Sequence, residues 1–144
     1  MKRAYISREI RREVALDARH RCGYCLSDEF LMGMALSIEH IIPVAVGGTS
    51  ARENLWMSCR PCNEFKNDRI EAADPNSGML VAIFNPRMQK WNEHFQFDES
   101  GTLVIGITPT GRATTHTLQL NRSLLVKARK RWILSGWPLE IDLP

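Results

Sequence analysis

The sequence predicts an α+β fold arranged around a small metal-stapled unit, and three observations predict it. Two C-x-x-C pairs, Cys22/Cys25 and Cys59/Cys62, are separated by 33 residues and can supply the four thiolates of a tetrahedral zinc site. The segment they enclose alternates short apolar runs with turn residues, which is a strand pattern. Helical periodicity appears on both flanks, before the first pair and again near the end of the chain. We divide the 144 residues into 1–76, the stapled core with an N-terminal helix, and 77–144, an α+β extension expected to pack on it as one compact unit.

The elements follow in order. Ser7 is placed to cap a helix running to about His20, with Ile10, Val14 and Ala18 on one side and arginines on the other. Gly23 fits the tight turn of a cysteine knuckle. Residues 34–42 read as a strand that carries Glu39 and His40 and is ended by Pro43. Residues 47–50 form a Gly-Gly loop, 54–58 a returning strand, and 61–70 a helix with Asn63, Lys66 and Asn67 about one turn apart. A unit this small cannot bury a good core, which is the physical reason for a metal staple.

In the second half, residues 79–84 are an apolar run, and 94–98 with 102–107 suggest a hairpin across Glu99-Ser100-Gly101. Residues 114–120 read as another strand. Asn121 is positioned to cap a final helix over 122–134, stopped by Gly136 and Pro138. Residues 72–78, with Asp74-Pro75-Asn76, are the expected junction between the halves.

Composition is that of an ordinary globular protein, 44% hydrophobic and 24% charged. No apolar run approaches the roughly 20 residues of a membrane span. The first residues lack the apolar core of an export signal, so a cytoplasmic location is the expectation and the cysteines are expected to be reduced. Net charge is only +3 but unevenly placed: residues 1–21 carry +4, including Lys2 and Arg3, and residues 112–132 carry six basic side chains and no acid. Either cluster alone is as readily a solvated helix face; together, beside a metal-site pattern, they point to a phosphate backbone. On the last helix the candidates are Arg122, Lys127, Arg129, Lys130 and Arg131. His20, His94 and His116 sit in no motif and read as structural or exposed, and the four tryptophans read as core.

The succession C-x-x-C, IEHIIP, a Gly-Gly loop, ENL and CRPCNEFK resembles the HNH endonuclease family over residues 21–69. The resemblance implies a ββα-metal fold, in which a two-stranded hairpin and a helix grip one divalent cation. It implies that His40 is the general base, taking a proton from the water that attacks a phosphodiester. It turns Glu39 toward the metal, which on a strand demands a local bend or bulge beside His40. Asn63 stands where many relatives have their last histidine, making an H-N-N variant whose oxygen-rich donors suit Mg²⁺ or Mn²⁺. Asn54 is implied to fix the base across the loop, and Lys66 to contact a phosphate. Products would carry 5′-phosphate and 3′-hydroxyl ends.

Singly, each residue has an ordinary reading: His40 as a core or surface histidine, Asn54 as a loop cap, Asn63 at a helix start, Glu39 as a solvent-facing strand residue. In order and together they read as catalytic. The alternative is a zinc-stapled nucleic-acid-binding module without hydrolysis, which leaves the joint occurrence of Glu39, His40, Asn54 and Asn63 unexplained. A C-x-x-C thiol oxidoreductase is a weaker rival, because both pairs sit in a zinc-like arrangement. The expected partner is double-stranded DNA bound through phosphates, since no element for reading base edges is evident. Oligomeric state is not legible.

Overall fold

The computed structural model describes residues 5–138, so Lys2 and Arg3 of the basic N-terminal cluster lie outside the described residues. Among the described residues the architecture is α+β: six α-helices, two short 3-10 helices and three separate two-stranded antiparallel sheets. No helix among the described residues is long and apolar enough to cross a membrane.

Helix α1, Arg8–Asp17, starts where Ser7 Oγ accepts from the Ile10 amide at 3.1 Å. Val14 and Ala18 are fully buried, and α1 lies against β2. It stops three residues before the expected end, because Arg19 and His20 adopt left-handed backbone as the chain turns into the first knuckle. His20 Nδ1 then pairs with Glu29 Oε1 at 2.5 Å. A single-turn helix absent from the sequence reading, α2 (Glu29–Met32), is capped by Asp28 and closed by Gly33 at φ 65. This turn confines the expected strand 34–42 to β1, Ser37–His40.

Strand β1 pairs with β2, Leu55–Ser58, and α3, Arg60–Lys66, follows directly from the second knuckle with a proline in its first turn. The helix ends four residues before the expected Ile70, where Asn67 turns the chain at φ 50 and its amide donates to the Asn63 carbonyl. The segment 72–78 is no bare junction but the turn of a hairpin, β3 (Glu71–Ala73) with β4 (Leu80–Ala82). Asp74 organises that turn, accepting from Asn76 N, Ser77 Oγ and both Nε and Nη2 of Arg112. The boundary drawn at residue 76 therefore falls inside a hairpin.

After a one-turn helix α4 (Trp91–His94), β5 (Phe95–Phe97) and β6 (Val104–Gly106) form the hairpin expected there. The expected strand 114–120 is instead the last turn of helix α5, Pro109–Thr117, and the turn that follows it. Its β-branched threonines favour strand, yet the start is fixed by Thr108 Oγ1 accepting from Gly111 N and by Pro109 in the first turn. Thr114 is buried because its hydroxyl accepts from the Phe84 amide at 2.9 Å. Helix α6, Ser123–Ile133, has Arg122 at its cap position, and Asn121 does not cap it. Asn121 instead clasps β6, accepting from Val104 N at 2.7 Å and donating to Val104 O at 2.8 Å.

An aromatic cluster fills the second half: Trp91 stacks on Phe95 at 5.0 Å, Phe84 meets Phe95 edge-on, and Trp137 meets Phe97 and Trp132 edge-on. Three of the four tryptophans are buried, as core residues should be. Two of them also reach the first knuckle, Trp91 Nε1 donating to Tyr24 O at 2.9 Å and Trp137 Nε1 to Leu26 O at 3.1 Å.

Candidate active site and metal centre

The four cysteines converge from two loops. Cys22 and Cys25 flank a turn in which Leu26 N donates to Cys22 O; Leu26, not Gly23, takes the left-handed conformation, at φ 61. Gly23 serves a different purpose: a side chain there would overlap the Trp56 ring that lies against it. Cys59 and Cys62 open α3. All four sulfurs are buried and lie within 4.8 Å of one another, with Cys25 Sγ and Cys59 Sγ 3.6 Å apart. Tetrahedral zinc with Zn–S bonds near 2.3 Å places its sulfurs about 3.8 Å apart, so the cluster fits that ion closely. Among the described residues this is the only cluster of at least three His, Cys, Asp or Glu side chains placed to hold a metal. Hydrogen bonds from its neighbours hold the Cys25 thiol well below its ordinary range, while burial pushes Cys22 up and the surrounding sulfurs push Cys62 up. Negative charges this close oppose one another, and a divalent cation bound between the sulfurs would offset that repulsion.

Beside this cluster, β1, the following turn and α3 enclose a cavity of about 120 Å³ whose walls include Glu39, His40, Asn63 and residues 43–45. The β1–β2 register is regular from Ser37↔Ser58 to His40↔Leu55, without the bulge the sequence reading required. The chain turns after His40 instead, so the cavity sits at the strand end, within reach of both neighbouring residues. His40 is half-buried and its Nε2 lies 3.0 Å from Ser50 Oγ. Asn54 spans the loop between them. Its amide oxygen accepts from Ile42 N at 2.8 Å, its Nδ2 donates to Ile42 O and Thr49 O, and its own carbonyl accepts from Ile41 N. Gly48 permits this closure, because any side chain there would overlap the Ile42 carbonyl.

Glu39 is 2% exposed and Lys66 only 1%. Lys66 Nζ donates to Glu39 Oε1 at 3.1 Å and to the carbonyls of Ile41 and His40 at 2.9 and 3.3 Å. The ammonium thus fills an oxygen cage of the protein's own making, which corrects the expectation that Lys66 reaches a phosphate. Burial pushes the Glu39 carboxyl above its ordinary range, although the Lys66 charge pulls the other way. Glu39 Oε2 has no hydrogen-bond partner; the Tyr24 hydroxyl interacts with this carboxylate without well-formed geometry. Glu39 and Asn63 both line the cavity, and their side-chain oxygens are hard donors of the type that suits Mg²⁺ or Mn²⁺.

A network missed in the sequence ties α1 to this loop. Asp17 binds Arg52 at 2.8 Å and Arg87 at 2.7 Å, and Arg87 lies over the Trp56 ring at 5.0 Å. The Arg52 hydrogen bond, against some burial, holds Asp17 below its ordinary carboxylate range. Nothing in spacing marks such a contact, since its members are up to 70 residues apart.

Two nominated phosphate-binding arginines turn inward. Arg129 is 0% exposed and donates through Nη1 to Thr102 O at 2.9 Å and Asn121 Oδ1 at 3.3 Å. Arg122 directs its guanidinium at the cysteine cluster, with Nη2 3.6 Å from Cys59 Sγ and Nη1 3.8 Å from Cys62 Sγ. Only Lys127, Lys130 and Arg131 of the five are exposed. His94 hydrogen-bonds Thr108 at the start of α5, and His116 is exposed.

The family model for HNH endonuclease matches residues 22–69, one third of the chain, a span that runs from the first knuckle cysteine to just past α3. No curated protein and no solved structure matches the chain.

Proposed function

We propose that the HNH segment makes this protein a metal-dependent endonuclease that hydrolyses phosphodiester bonds of double-stranded DNA. The observation that carries this reading is the convergence of Glu39, His40 and Asn63 on one cavity beside the four-sulfur cluster. A zinc-stapled binding module has no need of such a cavity.

In this reading the sulfurs hold structural zinc, and the knuckles keep β1, β2 and α3 in register. His40 takes a proton from the water that attacks phosphorus. Ser50 fixes the imidazole by its Nε2, and Asn54 locks the turn through which the histidine is presented. Glu39, anchored by Lys66, and Asn63 would hold Mg²⁺ or Mn²⁺, and the ion would supply positive charge for the phosphate and its leaving 3′-oxygen. Cleavage on that side of the phosphorus leaves 5′-phosphate and 3′-hydroxyl ends. Lys127, Lys130 and Arg131 supply exposed positive charge for the DNA backbone. The test is plasmid relaxation: the protein is expected to nick supercoiled DNA with Mg²⁺ or Mn²⁺ and to stop when the ion is chelated. Unchanged supercoiled plasmid at high enzyme with either ion would overturn the reading.

A further inference from the structure

The segment that matches the family ends at residue 69, yet a side chain more than fifty positions later touches the sulfur cluster. Arg122 stands at the entrance to α6 and donates to Cys59 Sγ and Cys62 Sγ, the two sulfurs of the second knuckle, while also donating to the Gln119 carbonyl at 3.3 Å. A neutral thiol is a weak acceptor, whereas a metal-bound thiolate accepts a guanidinium hydrogen bond well.

The charge count gives the contact its meaning. Four thiolates around one divalent ion leave two negative charges in a buried site, and buried charge must be compensated. One half-buried cation touches it: Arg122, whose guanidinium reaches both sulfurs of the second knuckle. We infer that Arg122 is the outer-shell clasp of the metal centre, hydrogen-bonding the Cys59 and Cys62 thiolates and offsetting their charge, so that the C-terminal half secures the zinc. This inference rests on the cysteines holding zinc and is independent of catalysis.

The test uses the full chain. Native protein as purified is expected to carry one zinc per chain by elemental analysis; none after growth in zinc-supplemented medium would overturn the zinc reading and the inference with it. With zinc present, its release to a chromogenic chelator is timed for native protein, Arg122→Met, Arg122→Lys and the exposed control Lys90→Met. Arg122→Met is expected to release zinc at least about tenfold faster, Arg122→Lys to fall between, and Lys90→Met to match native. Folding is checked by circular dichroism, and if Arg122→Met does not fold, Arg122→Lys carries the comparison. Replacement of zinc by Co²⁺ supplies a readout that a packing role alone would not move. Loss of the N–H···S bonds is expected to shift the sulfur-to-cobalt charge-transfer band to longer wavelength. Release within twofold of native together with an unshifted cobalt band, in native-like folded variants, would overturn the inference while leaving the nuclease reading intact.

Discussion

Lys66 carries a full positive charge into the interior, where one carboxylate and two carbonyls receive it. Removing one member of such a pair leaves the other buried and uncompensated, which costs several kilocalories per mole. Lys66→Ala is therefore expected to lose about 3 kcal/mol of stability in urea unfolding at neutral pH, and the double substitution Lys66→Met/Glu39→Gln to recover most of it. The sign of the pH dependence follows from Glu39, whose carboxyl burial already raises. A raised acid favours folding while protonated at low pH, and that contribution is lost as pH rises through the raised value. Without Lys66 the raise grows, so the penalty in Lys66→Ala should be small in acid and increase toward neutrality. A penalty that is flat with pH would refute the pairing. At this scale the sequence was legible where order and spacing carry information. The four cysteines cluster, and Glu39, His40 and Asn63 share a cavity, because each sits at a fixed offset from a knuckle or strand end. Arg122, Arg129 and Lys66 were misplaced for one reason: a charged side chain at helical spacing carries no mark of whether it meets water or a buried partner across the chain.

Among elements, the strand expected at 114–120 shows where propensity gave way. Threonines favour strand, but the cap at Thr108 and the glycine-tight contact of α5 with β6 decided for helix. The short helices α2 and α4 were invisible because four residues carry no periodicity. The hairpin β3–β4 was read as a linker for its Asp-Pro-Asn turn, whose strands are only three residues each. That turn is pinned to α5 by Asp74, whose carboxyl the Arg112 guanidinium holds well below the usual carboxylate range, despite some burial. An acid lowered on folding stabilises above its unfolded pKa of about 3.9 and loses that contribution as pH falls through the folded value. Native protein should therefore lose stability as pH drops below about 4, and Asp74→Asn should be less stable at neutral pH with a flatter acid limb. Thermal midpoints from pH 2 to 6 check this; parallel curves for the two proteins would contradict it.

For the molecule as a whole, the two halves meet at the first and second knuckles. Trp91 and Trp137 hold the carbonyls of Tyr24 and Leu26, and Arg122 holds the sulfurs that follow. The sequence showed that a small unit needs a staple, but not that the remaining chain would brace it, since contacts spanning 60 to 111 residues leave no local trace. Zinc extraction at neutral pH is accordingly expected to unsettle both halves together: tryptophan fluorescence should shift toward the red as the thermal midpoint falls by several degrees or more. A metal-free protein with native fluorescence and an unchanged midpoint would show that the fold does not depend on the sulfur cluster.

The proposed activity requires one imidazole, that of His40, to act as a base at a metal-supported phosphate. The rate at which a labelled DNA duplex is cut with saturating Mg²⁺ or Mn²⁺, compared between native protein and His40→Ala of equal zinc content, tests it most directly. A general base contributes about a hundredfold to ten-thousandfold, so a loss of that size is predicted with binding of the duplex retained. Cutting by His40→Ala at a rate within a few fold of native would contradict the account.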